Sequence, residues 1–176
     1  PFQFSLHIVR RKGAEPVHHV YLADGKADPR PEILKRLRTL LGDKGSIIAY
    51  NATFEKNCLE KAAEAYPSNA GWFRRNRERF LDLLQPFREF AYYSPKQGGS
   101  TSLKNVLPAL TGRDPYEGLA IADGGVAGAE FCRVTFESGI SDEERQRVRE
   151  ALEKYCGIDT AGMVEIVAAL RKAASA

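Results

Sequence analysis

Phe2, Phe4, Leu6 and Ile8 alternate with Gln3, Ser5 and His7, the period-two pattern of a half-buried strand. Turn material follows at Arg11-Lys12-Gly13-Ala14-Glu15-Pro16, and Val17 to Leu22 reads as the return strand of an antiparallel hairpin. Asp28-Pro29-Arg30-Pro31 opens a helix with apolar positions at Ile33, Leu34, Leu37, Leu40 and Leu41, stopped by Gly42. Ser46-Ile47-Ile48-Ala49-Tyr50 is a short continuous apolar run, which suits a strand buried on both faces. Helical spacing returns from Phe54 to Ala65, and Trp72 to Phe80 predicts another short helix. Tyr92 to Thr101 reads as a loop. A helix capped by Thr101 or Ser102 then runs through Leu103, Val106, Leu107 and Leu110. Asp123-Gly124-Gly125 predicts a turn leading into a helix that ends near Phe136. Ser141 with Glu144 forms a capping box for a helix carrying Val148 and Leu152. A last helical stretch passes through Tyr155, Asp159, Met163, Ile166, Val167 and Leu170. The order is hairpin, helix, strand, then helices only, an α/β arrangement with helices in the majority.

Composition narrows the class. A chain of 176 residues, 43% hydrophobic and 28% charged, fits one globular domain and excludes disordered and fibrous proteins. It holds no apolar run near the ~20 residues of a membrane helix and no secretory leader at Pro1 to Val9. The opening looks like a strand already under way, so the expectation is one domain over residues 1–176, cut from a longer protein. A net charge of +3 permits a polyanionic partner without demanding one. The basic clusters Arg10-Arg11-Lys12 and Arg74 to Arg79 read as solvated surface. Cys58, Cys132 and Cys156 are widely spaced and odd in number, which predicts reduced thiols in a cytoplasm and no disulfide or zinc framework.

Two constellations carry candidate chemistry. Tyr50-Asn51-Ala52-Thr53-Phe54-Glu55 lies where a strand hands over to a helix, the place ligands occupy in open α/β sheets. The plainer reading has Asn51 capping the helix and Glu55 complementing its dipole. Tyr155 and Asp159, four apart, share one helical face. A carboxylate on that apolar stripe needs a partner or a metal, unless a break at Gly157 makes it an N-cap. Cys156 has no neighbouring His in sequence, which leaves a cysteine hydrolase weakly supported. His18 and His19 read as structural.

Taken together, (Y/H)NxxF(D/E) after a strand and YxxxD on a late helix resemble the ribonuclease H-like 3′–5′ exonucleases of the DEDDy type. Leu81-Asp82-Leu83 adds to that likeness, and Asp28-Pro29-Arg30, Tyr50-Asn51-Ala52-Thr53-Phe54-Glu55, Ser102-Leu103-Lys104-Asn105-Val106-Leu107-Pro108 and Tyr155-Cys156-Gly157-Ile158-Asp159-Thr160 make the chain look most like the bacterial domain of unknown function 2779. The resemblance implies a three-layer fold with a mixed sheet and helices on both faces. It implies Glu55 and Asp159 as metal-binding acids, Tyr155 as the group orienting the attacking water, and Asn51, Phe54 and Lys104 against the substrate. The implied cofactor is a pair of Mg²⁺ or Mn²⁺ ions, hard cations suited to carboxylate oxygens. The implied partner is single-stranded nucleic acid, with no membrane.

One feature departs from that pattern. The superfamily's first motif, Asp-x-Glu on a central strand, has no counterpart here. The expected slot for that strand lies between Phe2–Val9 and Ser46–Tyr50. Three expectations follow: poor metal binding and an inactive chain, open strand edges prone to self-association, and activity only with the other domains of a longer parent. The alternative is a catalytically silent ribonuclease H-like module that binds nucleic acid or protein.

Overall fold

Alternation at the start of the chain produces β1 (Gln3–Ile8) and β2 (Val17–Leu22), paired antiparallel with Gln3 opposite Leu22 and Ile8 opposite Val17. The computed structural model describes residues 1–175. The polar side of β1 is only partly open to water. Gln3 Nε2 donates to Leu152 O at 3.1 Å, and Ser5 Oγ and His7 Nδ1 reach Thr160 Oγ1 at 2.7 and 2.8 Å. Both partners belong to α7 (Asp142–Ala173), which lies along the hairpin. The hairpin's other face meets α1 (Arg30–Leu41), where the Arg36 guanidinium stacks 4.7 Å from the Tyr21 ring centre.

α1 starts with Asp28 Oδ1 accepting the Arg30 N–H at 2.9 Å, and it stops at Gly42 with φ 49°. Next come β3 (Ile47–Ala49), α2 (Ala52–Ala65) and α3 (Ala70–Asn76). Here two expectations are corrected. The helix predicted over Trp72 to Phe80 ends at Asn76, passes through a short 3₁₀ turn, and gives way to β4 (Phe80–Asp82). β4 pairs parallel with β3, Ala49 opposite Asp82, so the chain after β3 is not helices only. β3 is also not buried on both faces. Ile47 and Ala49 are buried, whereas Ile48 and its neighbour Leu81 are 36% and 53% exposed. The expected single mixed sheet is two separate two-stranded sheets, with no hydrogen bonding between β1 and β3.

The remaining elements are α4 (Gln85–Arg88), α5 (Leu103–Thr111), α6 (Gly124–Phe136) and α7. Asp123 caps α6 by accepting from the Gly125 and Val126 N–H groups, and Ser141 Oγ accepts from Glu144 N–H at the head of α7. The helix through Val148 and Leu152 and the stretch from Tyr155 onward form one unbroken α7. Its two glycines sit where neighbours press in. A Cβ on Gly157 would lie 3.3 Å from the His18 ring, and one on Gly162 only 2.5 Å from Leu107 Cδ2. Small residues there let the hairpin and α5 dock against α7.

Burial divides into two clusters. One gathers Leu22, Phe87, Val106, Leu107, Phe131, Val134, Leu152 and Ile166 around α7. The other gathers Ile33, Leu34, Ile47, Ala62, Trp72, Phe73 and Phe80 around α1 and α2, and Tyr21 packs against both. Among the described residues no helix is long and apolar enough to cross a membrane.

Candidate functional site

The parallel strands β3 and β4 end side by side, and both hand polar residues to their carboxyl ends. Asp82, the last residue of β4, accepts hydrogen bonds at Oδ1 from the Asn51 N–H (2.9 Å) and the Leu84 N–H (3.0 Å). Asn51 adopts left-handed backbone (φ 67°, ψ 57°), which turns β3 sharply into α2. Its side chain does not cap that helix, so the capping role predicted for Asn51 is not played. The turn carries Glu55 inward on the first turn of α2 and leaves Phe54 outward, 64% exposed.

Glu55 is an acid under stress. Burial, with a smaller contribution from the nearby Asp82 charge, pushes its pKa up to about 7. Its Oε2 is buried with no hydrogen-bond partner. A first-turn acid serving only the helix dipole would sit in water at its ordinary value. Tyr50, just before the turn, donates its hydroxyl to Thr101 O at 2.6 Å and rests on the Phe87 ring.

The second group lies on α7. Tyr155 and Asp159 share a face of α7, as their spacing predicts, and the nearby carboxylate adds to the burial that raises the Tyr155 hydroxyl. A second tyrosine, on the connection between α5 and α6, was not visible as a candidate in the sequence. The Tyr116 hydroxyl donates to Asp159 Oδ1 at 2.8 Å. Burial raises the Asp159 pKa, opposed by the neighbouring tyrosine hydroxyls, and burial raises both phenols, which remain protonated. The reading of Asp159 as an N-cap after a break at Gly157 is corrected by the continuity of α7. Lys104 closes the group: its Nζ stands 5.9 Å from the Tyr155 ring centre and 3.7 Å from Asp123 Oδ2. Cys156 is no nucleophile in this setting, because burial pushes its thiol up to about 12.

The predicted residues therefore fall into two groups, Glu55 with Asp82 and Tyr155 with Asp159, Tyr116 and Lys104. Among the described residues no three His, Cys, Asp or Glu side chains are gathered so as to hold a metal ion. The orphaned Glu55 oxygen beside Asp82 suits one hard cation in donor type, yet two carboxylates do not complete a two-ion site. Surface concavities of about 450 and 350 Å³ lie on the two faces of the hairpin, lined by neither Glu55 nor Asp159.

The raised Glu55 value has a consequence for stability. The folded state holds the proton more tightly than the unfolded chain, whose carboxyl has the ordinary 4.5. Its contribution is complete below about pH 4.5 and is lost as pH rises through about 7. Glu55→Gln carries no charge, so after allowance for solvent screening it is expected to exceed the wild type by about 1–2 kcal/mol near pH 8. Near pH 4 the two should match. Urea unfolding at both values checks this, and equal stabilities at both would show that Glu55 is not strained.

Asp82 owes its importance to the crossover through α2 and α3 that sets β4 parallel beside β3, and Tyr116 carries no motif, so neither role could be read from local spacing. The profile of the family described as "Domain of unknown function (DUF2779)" matches residues 1–102, a span that contains the β3–α2 turn, Glu55 and Asp82. No curated protein and no solved structure matches the chain. With more than half of its length under that profile, the chain belongs to the DUF2779 family.

Proposed function

We propose that this chain is a nuclease-type domain of ribonuclease H-like character, acting on single-stranded nucleic acid by 3′–5′ hydrolysis. The observation that carries the reading is the strained acid pair at the carboxyl ends of parallel strands. Glu55 is held near pH 7 with one oxygen unpartnered, beside Asp82 anchored by two backbone N–H groups. Buried, mutually repelling carboxylates are a recurring mark of sites that bind cations or move protons. Asp159, bonded by the Tyr116 hydroxyl and with Tyr155 one turn away on α7, adds a third acid whose orientation is set before any ligand arrives. Mg²⁺ or Mn²⁺ is the cofactor that this acid set would recruit; because the residues present do not complete a two-ion site, no catalytic step is assigned through it. Self-association through the open edges of β1 and β3 belongs to the same proposal.

A second reading has specific support. Asp159 already accepts the Tyr116 hydroxyl, and among the described residues no third acid joins Glu55 and Asp82. That favours a silent module which binds nucleic acid without cleaving it. The assay that separates them uses 5′-labelled single-stranded DNA and RNA with Mn²⁺ and the full product of the encoding gene. Nuclease function predicts stepwise shortening from the 3′ end, abolished by Glu55→Gln and by Asp159→Asn. Retention of label on an intact strand, with binding preserved, selects the silent module. Absence of both cleavage and binding removes the nucleic-acid reading altogether.

A further inference from the structure

α4 ends at Arg88, and two residues later Phe90 takes left-handed backbone with φ 56°. That position after a helix end ordinarily belongs to glycine, because a Cβ there crowds the adjoining carbonyl. Nine glycines of this chain already hold positive φ, so the fold supplies glycine freely where the geometry calls for it. Here it carries a large ring instead, and that ring is 72% exposed. Core packing does not explain the residue.

The surroundings give the ring a use. Tyr93, 48% exposed, stands 5.9 Å from it with the planes tilted by 47°. Arg88 and Lys96 flank the pair, both exposed and neither in an ion pair among the described residues. The one nearby acid, Glu89, accepts from Gln85 Nε2 at 2.8 Å. Below the rings the support is firm: Phe87 is fully buried and packs edge-on against Tyr92 at 5.9 Å and beside Tyr50 at 6.4 Å.

We propose that Phe90 and Tyr93 form a stacking platform for the bases of single-stranded nucleic acid, with Arg88 and Lys96 meeting the phosphates. Every base has a π face, and aromatic rings interleaved with free cations are the sequence-tolerant way to hold a single strand. The charge balance favours a polyanion: the exposed cations Arg88 and Lys96, which bracket the rings in sequence, are in no ion pair among the described residues. The proposal rests on the nucleic-acid reading above and adds where the strand is gripped, outside the acid groups.

Phe90→Gly tests it with an unusual signature, since it removes the ring and relieves the backbone together. Binding is read by fluorescence anisotropy of a labelled single strand about ten nucleotides long, the span of one small binding surface. The variant should bind about tenfold more weakly, the weight of one stacked base, while its Tm holds or rises. Phe90→Trp should bind like the wild type. Unchanged affinity in Phe90→Gly, or a fall in its Tm, overturns the platform and leaves the nucleic-acid reading standing. Failure of the wild-type chain to bind any single strand overturns both.

Discussion

Phe87→Ala is expected to lower the unfolding free energy by about 3–5 kcal/mol, the usual range for emptying a buried phenyl site. Phe87 has no exposed surface and lies in the α7 core cluster. Its ring supports Tyr92 edge-on and Tyr50 in an offset stack. Tyr50 is also tied to Thr101 O through its hydroxyl, so the surrounding elements are held and will not collapse freely into the space. The loss should therefore fall toward the upper part of the range, a drop of about 10 °C or more in Tm for a domain of this size. Because Tyr50 leads directly into the Asn51 turn, the same variant should also loosen Glu55 and let its pKa drift back toward the ordinary carboxyl value. Thermal unfolding together with carboxyl titration by NMR reads both effects. A cost below about 1 kcal/mol would mean that α4 is not part of the core.

Arg79→Ala should be nearly as damaging, about 2–4 kcal/mol, although the sequence presents Arg79 as one of a run of surface cations. Its guanidinium spends every donor. Nε bonds Gly45 O, Nη1 bonds Gly42 O and Asn76 Oδ1, and Nη2 bonds Leu41 O and Lys44 O. The carbonyls are those left without partners where α1 ends and the chain turns toward β3, and a cation there also complements the helix dipole. Removing it strands several carbonyls at once, each charge-assisted bond being worth roughly 1.5–3 kcal/mol before non-additivity is considered. Arg79→Lys should recover only a small part, because an ammonium cannot reproduce the planar fork. Chemical unfolding of the three proteins provides the comparison, and full rescue by lysine would reduce Arg79 to a simple charge.

The contrast between Arg79 and its neighbours shows what a sequence does and does not expose. Local signals were legible wherever the physics is local. The β1–β2 hairpin follows from alternation, the stops and starts at Gly42, Asp123 and Ser141 from backbone groups needing partners within a turn, and the pairing of Tyr155 with Asp159 from helical periodicity. Family membership was legible too, in short motifs of which those at Asp28-Pro29-Arg30 and Tyr50 to Glu55 lie within the matched residues 1–102, whereas those at Ser102 to Pro108 and Tyr155 to Thr160 extend past them.

Everything that depended on chain return had to wait for the tertiary structure. β4 spans three residues, too short for any period to appear, and it is a strand because β3 offers it a parallel edge. Gly157 reads as a break, yet α7 runs through it, and the glycine leaves room for the His18 ring, which a Cβ there would meet at 3.3 Å. The polar face of β1 looks like a solvent face and is half covered by α7, where the Leu152 carbonyl and Thr160 bond Gln3 Nε2, Ser5 and His7 and Gln3 Oε1 is left buried without a partner. At the candidate site the residue types, Glu55, Tyr155 and Asp159, were set by the sequence. Their electrostatic condition was set by partners distant along the chain, Asp82 raising Glu55 and Tyr116 bonding Asp159. Periodicity reports which face a residue shares with its near neighbours; burial and charge depend on which distant segment packs against that face, and only the folded chain decides that.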